Sequence, residues 1–222
     1  MNLHSLRALL LLVVLGATYP LWERDSRTPR PSRLVQEAAA LGTKGDLKGA
    51  SDLADRAVRA NPRDSIALCI RGTANRKMGK YAQAIADLDE AVRLNPRLAD
   101  AYVQRAFAHQ QAGDAGEGVI LRDVNRAIEL DPSSSLAYIL RANAYMARGQ
   151  EDLALADSNR AITLNPKSWS AYASRASIRW GRGATVGALR DIDTALKLDP
   201  PATDRAQIFR LRAMIVDRAV KQ

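Results

Sequence analysis

Apolar and polar residues alternate along most of the chain with the period of an amphipathic helix, and turn-forming residues interrupt this pattern at regular intervals. One kind of interruption is a proline that follows Asn or Asp and closes a recurring phrase, as in RAVRANP and EAVRLNP. Successive prolines of this kind are 34, 36, 34 and 34 residues apart, and they are Pro62, Pro96, Pro132, Pro166 and Pro200. The proline ring biases the preceding residue away from helical angles, so each phrase predicts the end of a helix.

The second kind of interruption is a glycine about halfway between successive prolines. These glycines occupy position 15 if each repeat ends two residues past its proline, and they are Gly45, Gly79, Gly113, Gly149 and Gly183. Glycine is the least costly residue in the left-handed turn that ends one helix and reverses the chain. Each repeat is therefore predicted to be a helical hairpin, and the five repeats cover residues 31–64, 65–98, 99–134, 135–168 and 169–202.

Small residues recur where the two helices of a hairpin would approach each other. Position 8 holds Ala38, Gly72, Ala106, Ala142 and Ala176, and position 27 holds Ala57, Ala91, Ala127, Ala161 and Ala195. This pattern resembles the tetratricopeptide repeat family, which has small residues at positions 8 and 20, Ala at 27 and Pro at 32. The resemblance covers 31–202 and implies an all-α fold, a right-handed α-solenoid of five helix-turn-helix hairpins.

Two segments depart from the regular repeat. The third repeat has two extra residues within 113–118 and has Ile120 at position 20, so we expect its hairpin to be the least regular. Residues 203–222 follow the last repeat and show apolar residues at helical spacing, which predicts a capping helix. We expect its apolar side to cover the last hairpin through Ile208, Leu211, Ile215 and Val216.

Arginine and aspartate recur together in four of the five repeats. Position 7 holds Arg71, Arg105, Arg141 and Arg175, and position 23 holds Asp87, Asp123, Asp157 and Asp191. A planar guanidinium suits a carboxylate in a partly buried seam. The pattern predicts a structural ladder of Arg–Asp pairs between neighbouring helices.

The family resemblance also implies a binding groove, lined by positions 2, 5, 9 and 12 of the first helices. The candidate groove residues are Cys69, Thr73, Arg76, Val103, Phe107, Gln110, Ile139, Asn143, Met146, Ser177 and Trp180. The Lys and Asn clamp with which chaperone-binding members hold a peptide carboxylate is absent from these positions. The middle of the groove is apolar, which suits an amphipathic helix or an extended apolar peptide.

Four groove residues are candidate anchors for a ligand: Phe107, Ile139, Met146 and Trp180. Trp180 precedes the turn at 181–183, where a large ring is expected to find little to pack against, so it is the anchor least easily explained as core. The alternative for each groove residue is packing within the repeats or against the leader or capping helix. Cys69 is expected to be a small buried apolar residue.

The first 22 residues are predicted to be a signal peptide or a membrane anchor. Residues 8–22 carry no charge and follow Arg7, as in the apolar region of an export signal. The run is 15 residues long, which favours a cleaved signal over a spanning helix. An uncleaved anchor stays open, because neither Ala17 nor Thr18 ends a clean cleavage site. Residues 23–30, with their charges and a proline, are read as a linker.

Composition limits the chemistry that the chain can perform. The net charge of +9 favours acidic partners in general, but the basic residues are spread among acidic ones and only two Phe are present, which does not favour nucleic acid. A single cysteine excludes an internal disulfide and a cysteine-based zinc site, and neither His4 nor His109 has a companion ligand nearby. No catalytic motif is present, so no catalytic residue, metal or cofactor is assigned.

Three functions remain at this point. The first is a non-catalytic scaffold for protein–protein interaction, exported or membrane-anchored at the cell envelope, and in the periplasm or inner membrane if the source is bacterial. The second is a basic peripheral adaptor for anionic lipid or nucleic acid. The third is an enzyme with an unrecognised site, which would need a polar cluster with no counterpart in the other repeats.

Overall fold

The computed structural model describes residues 32–113 and 115–220, with the side chains of 203 and 218–220 excepted. Within these ranges the regular structure consists of α-helices, eleven in number, and includes no strand, which confirms the predicted all-α class. The chain divides into two compact units, Met1–Gly113 and Asp114–Gln222, here called unit 1 and unit 2. The predicted leader and the predicted linker lie outside the described residues.

Unit 1 contains two helical hairpins and one further helix. Its helices are α1 (Arg33–Thr43), α2 (Leu47–Ala60), α3 (Ser65–Lys77), α4 (Tyr81–Leu94) and α5 (Ala99–Ala112). Each helix packs on the next, and the first helices α1, α3 and α5 are also neighbours. Unit 1 therefore has the order predicted for two repeats and the first helix of a third.

Unit 2 continues the same order. Its helices are α6 (Glu117–Leu130), α7 (Ser135–Ala147), α8 (Glu151–Leu164), α9 (Trp169–Gly181), α10 (Thr185–Lys197) and α11 (Ala202–Val220). Helices α7 and α8 form one hairpin, α9 and α10 form the next, and α11 packs on α10 and α9. The range predicted for the third repeat is thus occupied by α5 in unit 1 and α6 in unit 2.

The turn residues explain where the helices end. All five position-15 glycines have positive φ, for example 78° at Gly79 and 70° at Gly149, which confirms the predicted left-handed turns. The residues before the first four prolines end their helices, and their side chains cap the following turn. In each case the side-chain Oδ1 accepts a hydrogen bond of 3.0 to 3.2 Å from the backbone N–H two residues later, and the accepting residues are Asn61, Asn95, Asp131 and Asn165. Asp199 breaks this rule with a φ of 54°.

The small residues at positions 8 and 27 are buried in all five repeats. Gly72 is the one glycine among them, and a Cβ built on it would lie 2.8 Å from Cγ of Leu88. Leu88 on α4 is fully buried in the core cluster of unit 1 with Ala84 and Ala91. The side chain of Leu88 therefore occupies the space that a methyl group at position 72 would fill.

The predicted Arg–Asp ladder is confirmed within both units. Three arginines bind the position-23 aspartate of their own repeat through Nε and Nη2, at 2.7 to 3.0 Å: Arg71 to Asp87, Arg141 to Asp157 and Arg175 to Asp191. Arg105 and Asp123, the fourth predicted pair, belong to different units. The aspartates are buried, whereas the arginines are only half-buried.

The ladder has a second partner that the sequence analysis missed. The remaining nitrogen, Nη1, of each arginine donates to position 25 of the preceding repeat at 2.8 to 2.9 Å. The acceptors are Asp55, Asp89, Asn125 and Asn159, bound by Arg71, Arg105, Arg141 and Arg175 respectively. Each of the three arginines that pair with position 23 therefore joins both helices of its own hairpin to the helix before it.

The capping helix is confirmed in part. Ile208, Ile215 and Leu211 of α11 pack into one cluster with α9 and α10. Val216, expected on the same side, is instead exposed, because it lies about a quarter turn around the helix from Ile208 and Ile215. None of the described helices is long and apolar enough to cross a membrane.

Replacing Gly72 with Ala should destabilise the protein, although Ala stands at this position in the other four repeats. The new methyl group would overpack the seam against Leu88, which outweighs the gain in helix propensity, for a net loss of about 1 kcal/mol. Urea unfolding measures the change. Gly118→Ala in α6 is the control, since a Cβ there meets nothing within 4 Å. A more stable Gly72→Ala protein would show that the contact between α3 and α4 has room for the added methyl group, which would contradict the prediction.

Truncating Arg141 should destabilise unit 2 more than truncating Arg175. Arg141→Ala leaves the buried Asp157 without its bidentate partner, at a loss of about 2 to 4 kcal/mol. Arg175→Ala is expected to be milder, because Arg179 Nη1 lies 2.8 Å from Asp191 and keeps that carboxylate paired. Thermal and urea unfolding of the two variants test this order. Arg93→Ala, which removes an exposed pair with Glu90, should leave the melting temperature unchanged.

Candidate protein-binding surface

The first helices α3 and α5 of unit 1 hold a buried arginine between them. Arg76, in the last turn of α3, is 7% exposed. Its Nε donates to Oε1 of Gln104 at 3.2 Å, and its Nη1 donates to Oε1 of Gln111 at 2.8 Å. The guanidinium carbon lies 4.2 Å from the ring centre of Phe107. Arg76 is therefore fixed across the two helices by two amides and an aromatic ring.

Arg76 differs from the ladder arginines in the charge around it. No carboxylate among the described residues lies within salt-bridge distance of its guanidinium, and its partners are neutral. Burial lowers the pKa of Arg76 to about 10, against the opposing charge of Asp100. Because this pKa lies below the ordinary value, the charged form costs folding free energy at neutral pH, a cost relieved only as pH rises through about 10.

One nitrogen of Arg76 is available to a ligand. Nη2 makes no hydrogen bond to the described residues and is not sealed from solvent. Desolvated cations in folded proteins are usually paired with an acid. The geometry of Arg76 is therefore that of a preformed donor for a carboxylate that comes from outside the described chain.

The surroundings of Arg76 add charge and polar groups. Lys77 is exposed beside it, and partial desolvation together with the Arg76 charge lowers the pKa of Lys77. Asp100, also exposed, accepts a hydrogen bond from Nε2 of Gln104 at 3.3 Å and partly balances the two cations. Thr73 is half-buried and donates to the carbonyl oxygen of Cys69 at 2.8 Å.

The predicted groove residues of unit 1 fall into two sets. Cys69 and Val103 are buried, at 4% and 2% exposure, so they form the floor and leave little surface for a ligand. Thr73, Phe107 and Gln110 are half-buried and accessible. Burial raises the pKa of the Cys69 thiol well above its usual value, so it stays protonated and unreactive. The surface formed by Thr73, Arg76, Lys77, Phe107 and Gln110 is called the Arg76 surface below.

The predicted groove residues of unit 2 are engaged with the protein itself. Ile139 is 5% exposed and packs with α8 and α9. Asn143 accepts a hydrogen bond from Oγ of Ser174 at 2.8 Å, and Ser177 donates to the carbonyl oxygen of Ala173. The terminal methyl group of Met146 fills the space beside Gly181. These side chains therefore offer a ligand less than those of unit 1.

Trp180 finds more to pack against than its place before a turn suggested. It is partly buried against the cluster that joins α9, α10 and α11. Its Nε1 is buried and, among the described side chains, has no hydrogen-bond partner. The expectation of an isolated ring was wrong, because the capping helix extends the core past the turn.

Gln104 and Gln111 were missed by the sequence analysis. They lie seven residues apart on one face of α5, at positions that carry no family pattern. Two amides at helical spacing opposite an arginine are a weak signal without knowledge of which helices are neighbours. No metal-binding group of histidine, cysteine and acidic residues occurs in the described ranges.

Comparison with known proteins supports the repeat assignment. Two protein-family models match: "Tetratricopeptide repeat" over residues 140–215 and "TPR repeat" over residues 72–113. No curated protein matches significantly.

Several solved structures are similar in fold. TTC0263, a thermophilic TPR protein in Thermus thermophilus, is 22% identical with a TM-score of 0.69, covering 82% of this chain and 98% of its own. YrrB, described as a TPR protein with an unusual peptide-binding site, is 17% identical with a TM-score of 0.57, over 87% and 93%. MamA 41-end from Desulfovibrio magneticus RS-1 is 16% identical with a TM-score of 0.59, over 77% and 97%.

The likeness to these structures concerns the fold, and the family models independently recognise repeats in both units. The helix order, the turn glycines and the buried small residues agree with this assignment. The chain is thus built from tetratricopeptide repeats, a fold that supports a protein–protein interaction scaffold.

Proposed function

We propose that the protein is a non-catalytic scaffold whose Arg76 surface binds an acidic, amphipathic segment of a partner protein, either helical or extended. The observation that carries the proposal is the buried guanidinium of Arg76, held by neutral groups and left with one available nitrogen. A carboxylate of the partner would complete the charge pairing that the described residues leave open.

Binding of a carboxylate at Arg76 has a favourable physical basis. The desolvation of the guanidinium is already incurred in the free protein, so an incoming acid gains a charge-assisted hydrogen bond in a partly dry site. Gln104, Gln111 and Phe107 fix the side chain, which lowers the entropy lost on binding. The arrangement favours a specific acidic contact over a diffuse attraction to negative charge.

The rest of the Arg76 surface suits the apolar side of such a segment. Phe107 presents part of its ring, while Thr73 and Gln110 present small and amide side chains. Lys77 adds a second positive charge at the edge. A partner segment with one acidic residue beside an apolar stripe matches this distribution. The peptide-binding site for which YrrB is described is consistent with a peptide ligand here.

A basic adaptor for anionic lipid or nucleic acid is the competing function, and the two differ in how Arg76 contributes. If binding depended on a diffuse basic surface, removing any one of its arginines would lower the affinity for the ligand, and the affinity would fall strongly as the salt concentration rises. The Arg76 surface depends on one desolvated residue.

Amphipathic peptides in matched pairs, identical except for a central Glu or Gln, should separate these possibilities. We expect the intact chain to bind the Glu peptides about tenfold more tightly, because only they supply a carboxylate to Arg76. Arg76→Met should abolish that preference. Fluorescence anisotropy with labelled peptides, at low and moderate salt, measures both affinities.

Arg148→Met is the matched control, since it removes the same charge from an exposed position in unit 2. Arg76→Met should fold with nearly unchanged stability, because losing its amide contacts is offset by removing a desolvated charge. Equal losses of affinity in both variants, or equal binding of Glu and Gln peptides, would contradict the assignment to Arg76 and favour the basic surface.

We further propose that residues 1–22 bring the scaffold to the cell envelope, as an export signal or an anchor. The support is the uncharged run at 8–22 after Arg7. Exchanging Leu11 and Leu12 for Arg should leave the protein in the soluble fraction of the cytoplasm, because charge within the run prevents insertion. Fractionation and N-terminal sequencing of the native protein distinguish a cleaved signal from an anchor. An envelope location that persists in the exchanged protein would refute the role of the leader.

A further inference from the structure

Helix α11 has two apolar sides, and the described residues of the protein cover only one of them. Ile208 and Ile215 are buried in a cluster with α9 and α10. Phe209 and Val216 lie on the other side and are 53% and 38% exposed, with Ala213 between them. This second side, lined by Phe209, Arg212, Ala213, Val216 and Asp217, is called the open face.

In helix α9, one side packs on the preceding hairpin and another side packs on the second helix of its own hairpin. Its Ala171 and Ile178 belong to clusters with the preceding hairpin of α7 and α8. Its Ala176 belongs to a cluster with its own second helix, α10. In α11, Ile208 and Ile215 have the same spacing of seven residues and likewise pack on the preceding hairpin. Helix α11 therefore sits in the structure as a first helix.

This equivalence assigns the open face. Counted from the buried pair, Ala213 corresponds to Ala176, and Arg212 corresponds to the ladder residue Arg175. The offset between the two helices is 37 residues instead of the 34 of the regular repeat. The open face thus corresponds to the side on which every preceding first helix within a hairpin carries its second helix.

A hydrogen bond of Arg212 to position 25 of the preceding repeat supports the equivalence. The Nε of Arg212 donates to Oδ1 of Asp193 at 3.2 Å, whereas Arg175 reaches Asn159 at the same position through Nη1. Arg175 also binds Asp191 of its own second helix in a bidentate pair. The two terminal nitrogens of Arg212 have no such partner among the described residues, and its side chain is 46% exposed.

We propose that the open face is a docking site for an amphipathic helix of a partner protein, which lies antiparallel to α11 and places a carboxylate on Arg212. The occupant would take the place of a second helix of a hairpin. The terminal nitrogens of Arg212 can donate to a carboxylate of the partner. The small side chain of Ala213, between Phe209 and Val216, allows the partner helix to approach α11 closely. This inference concerns unit 2 and is independent of the Arg76 surface.

The protein's own second helices define the chemistry of the occupant. In α10 the residues that face α9 are Ala188, Asp191, Ile192 and Ala195. The complementary side of the occupant therefore has a small residue, an acidic residue three positions later, an apolar residue directly after the acid, and an Ala three positions after that. A partner helix with this spacing can make the same contacts to α11.

A peptide of residues 184–198, which contains α10, is the probe for this site. Labelled and capped at both ends, it should bind the intact chain saturably, and Val216→Asp should abolish binding. Arg212→Ala in the protein and Asp191→Asn in the peptide should each weaken binding about tenfold. The two changes together should weaken it little more than either alone, because they remove one interaction. Anisotropy titrations provide all four affinities.

Arg210→Ala is the matched control, because this exposed arginine lies on α11 but outside the open face. The positions changed on the protein are all exposed, so the variants should fold normally, as circular dichroism can verify. Loss of affinity in Arg210→Ala equal to that in Arg212→Ala, additive effects of Arg212→Ala and Asp191→Asn, or no binding up to about 1 mM peptide would overturn the proposal. Self-association that Val216→Asp abolishes, without peptide binding, would assign the face to a second copy instead.

Discussion

The compensation of partly buried guanidinium groups is the constraint on which the arrangement of helices depends. An arginine withdrawn from water between helices loses hydration that only carboxylates and well-placed acceptors restore. The ladder arginines restore it on two sides, through the aspartate of their own hairpin and position 25 of the preceding one. Since one side chain satisfies both contacts, the spacing between hairpins is fixed by the same group that closes each hairpin.

Tyrosines assist this arrangement from within the same helix. Arg105, Arg141 and Arg175 lie over Tyr102, Tyr138 and Tyr172, with distances of 5.6, 5.3 and 5.6 Å to the ring centres. Each guanidinium carbon lies over the face of a tyrosine ring, while nitrogens of the same group donate to acceptors. A lysine could supply the charge but neither the stacking nor the bidentate pair. The ladder therefore depends on arginine specifically.

Much of this was accessible from the sequence because it repeats. Helix ends, turn glycines and the Arg–Asp pairs recur at fixed spacing, so several parallel observations supported each inference. What occurs once was not accessible: the Gln104 and Gln111 contacts to Arg76 depend on which faces of two neighbouring helices meet. The register of α11 was missed for a related reason. Repeat counting places position 7 of α11 at Phe209, whereas the residue that contacts position 25 of the preceding repeat is Arg212, three residues later.

The two proposed sites follow from the same physical rule, since each lies where the compensation of an arginine is incomplete. Arg76 is buried and donates to two amides, whereas the ladder arginines bind carboxylates. Arg212 contacts the preceding repeat but lacks an aspartate from a second helix of its own hairpin. The two deficits have different consequences. The charge of Arg76 is already desolvated, so a partner carboxylate there contributes mainly to affinity. The exposed Arg212 retains its water, so an acid opposite it mainly selects which helix docks and in which register, while Phe209 and Val216 supply most of the buried apolar area.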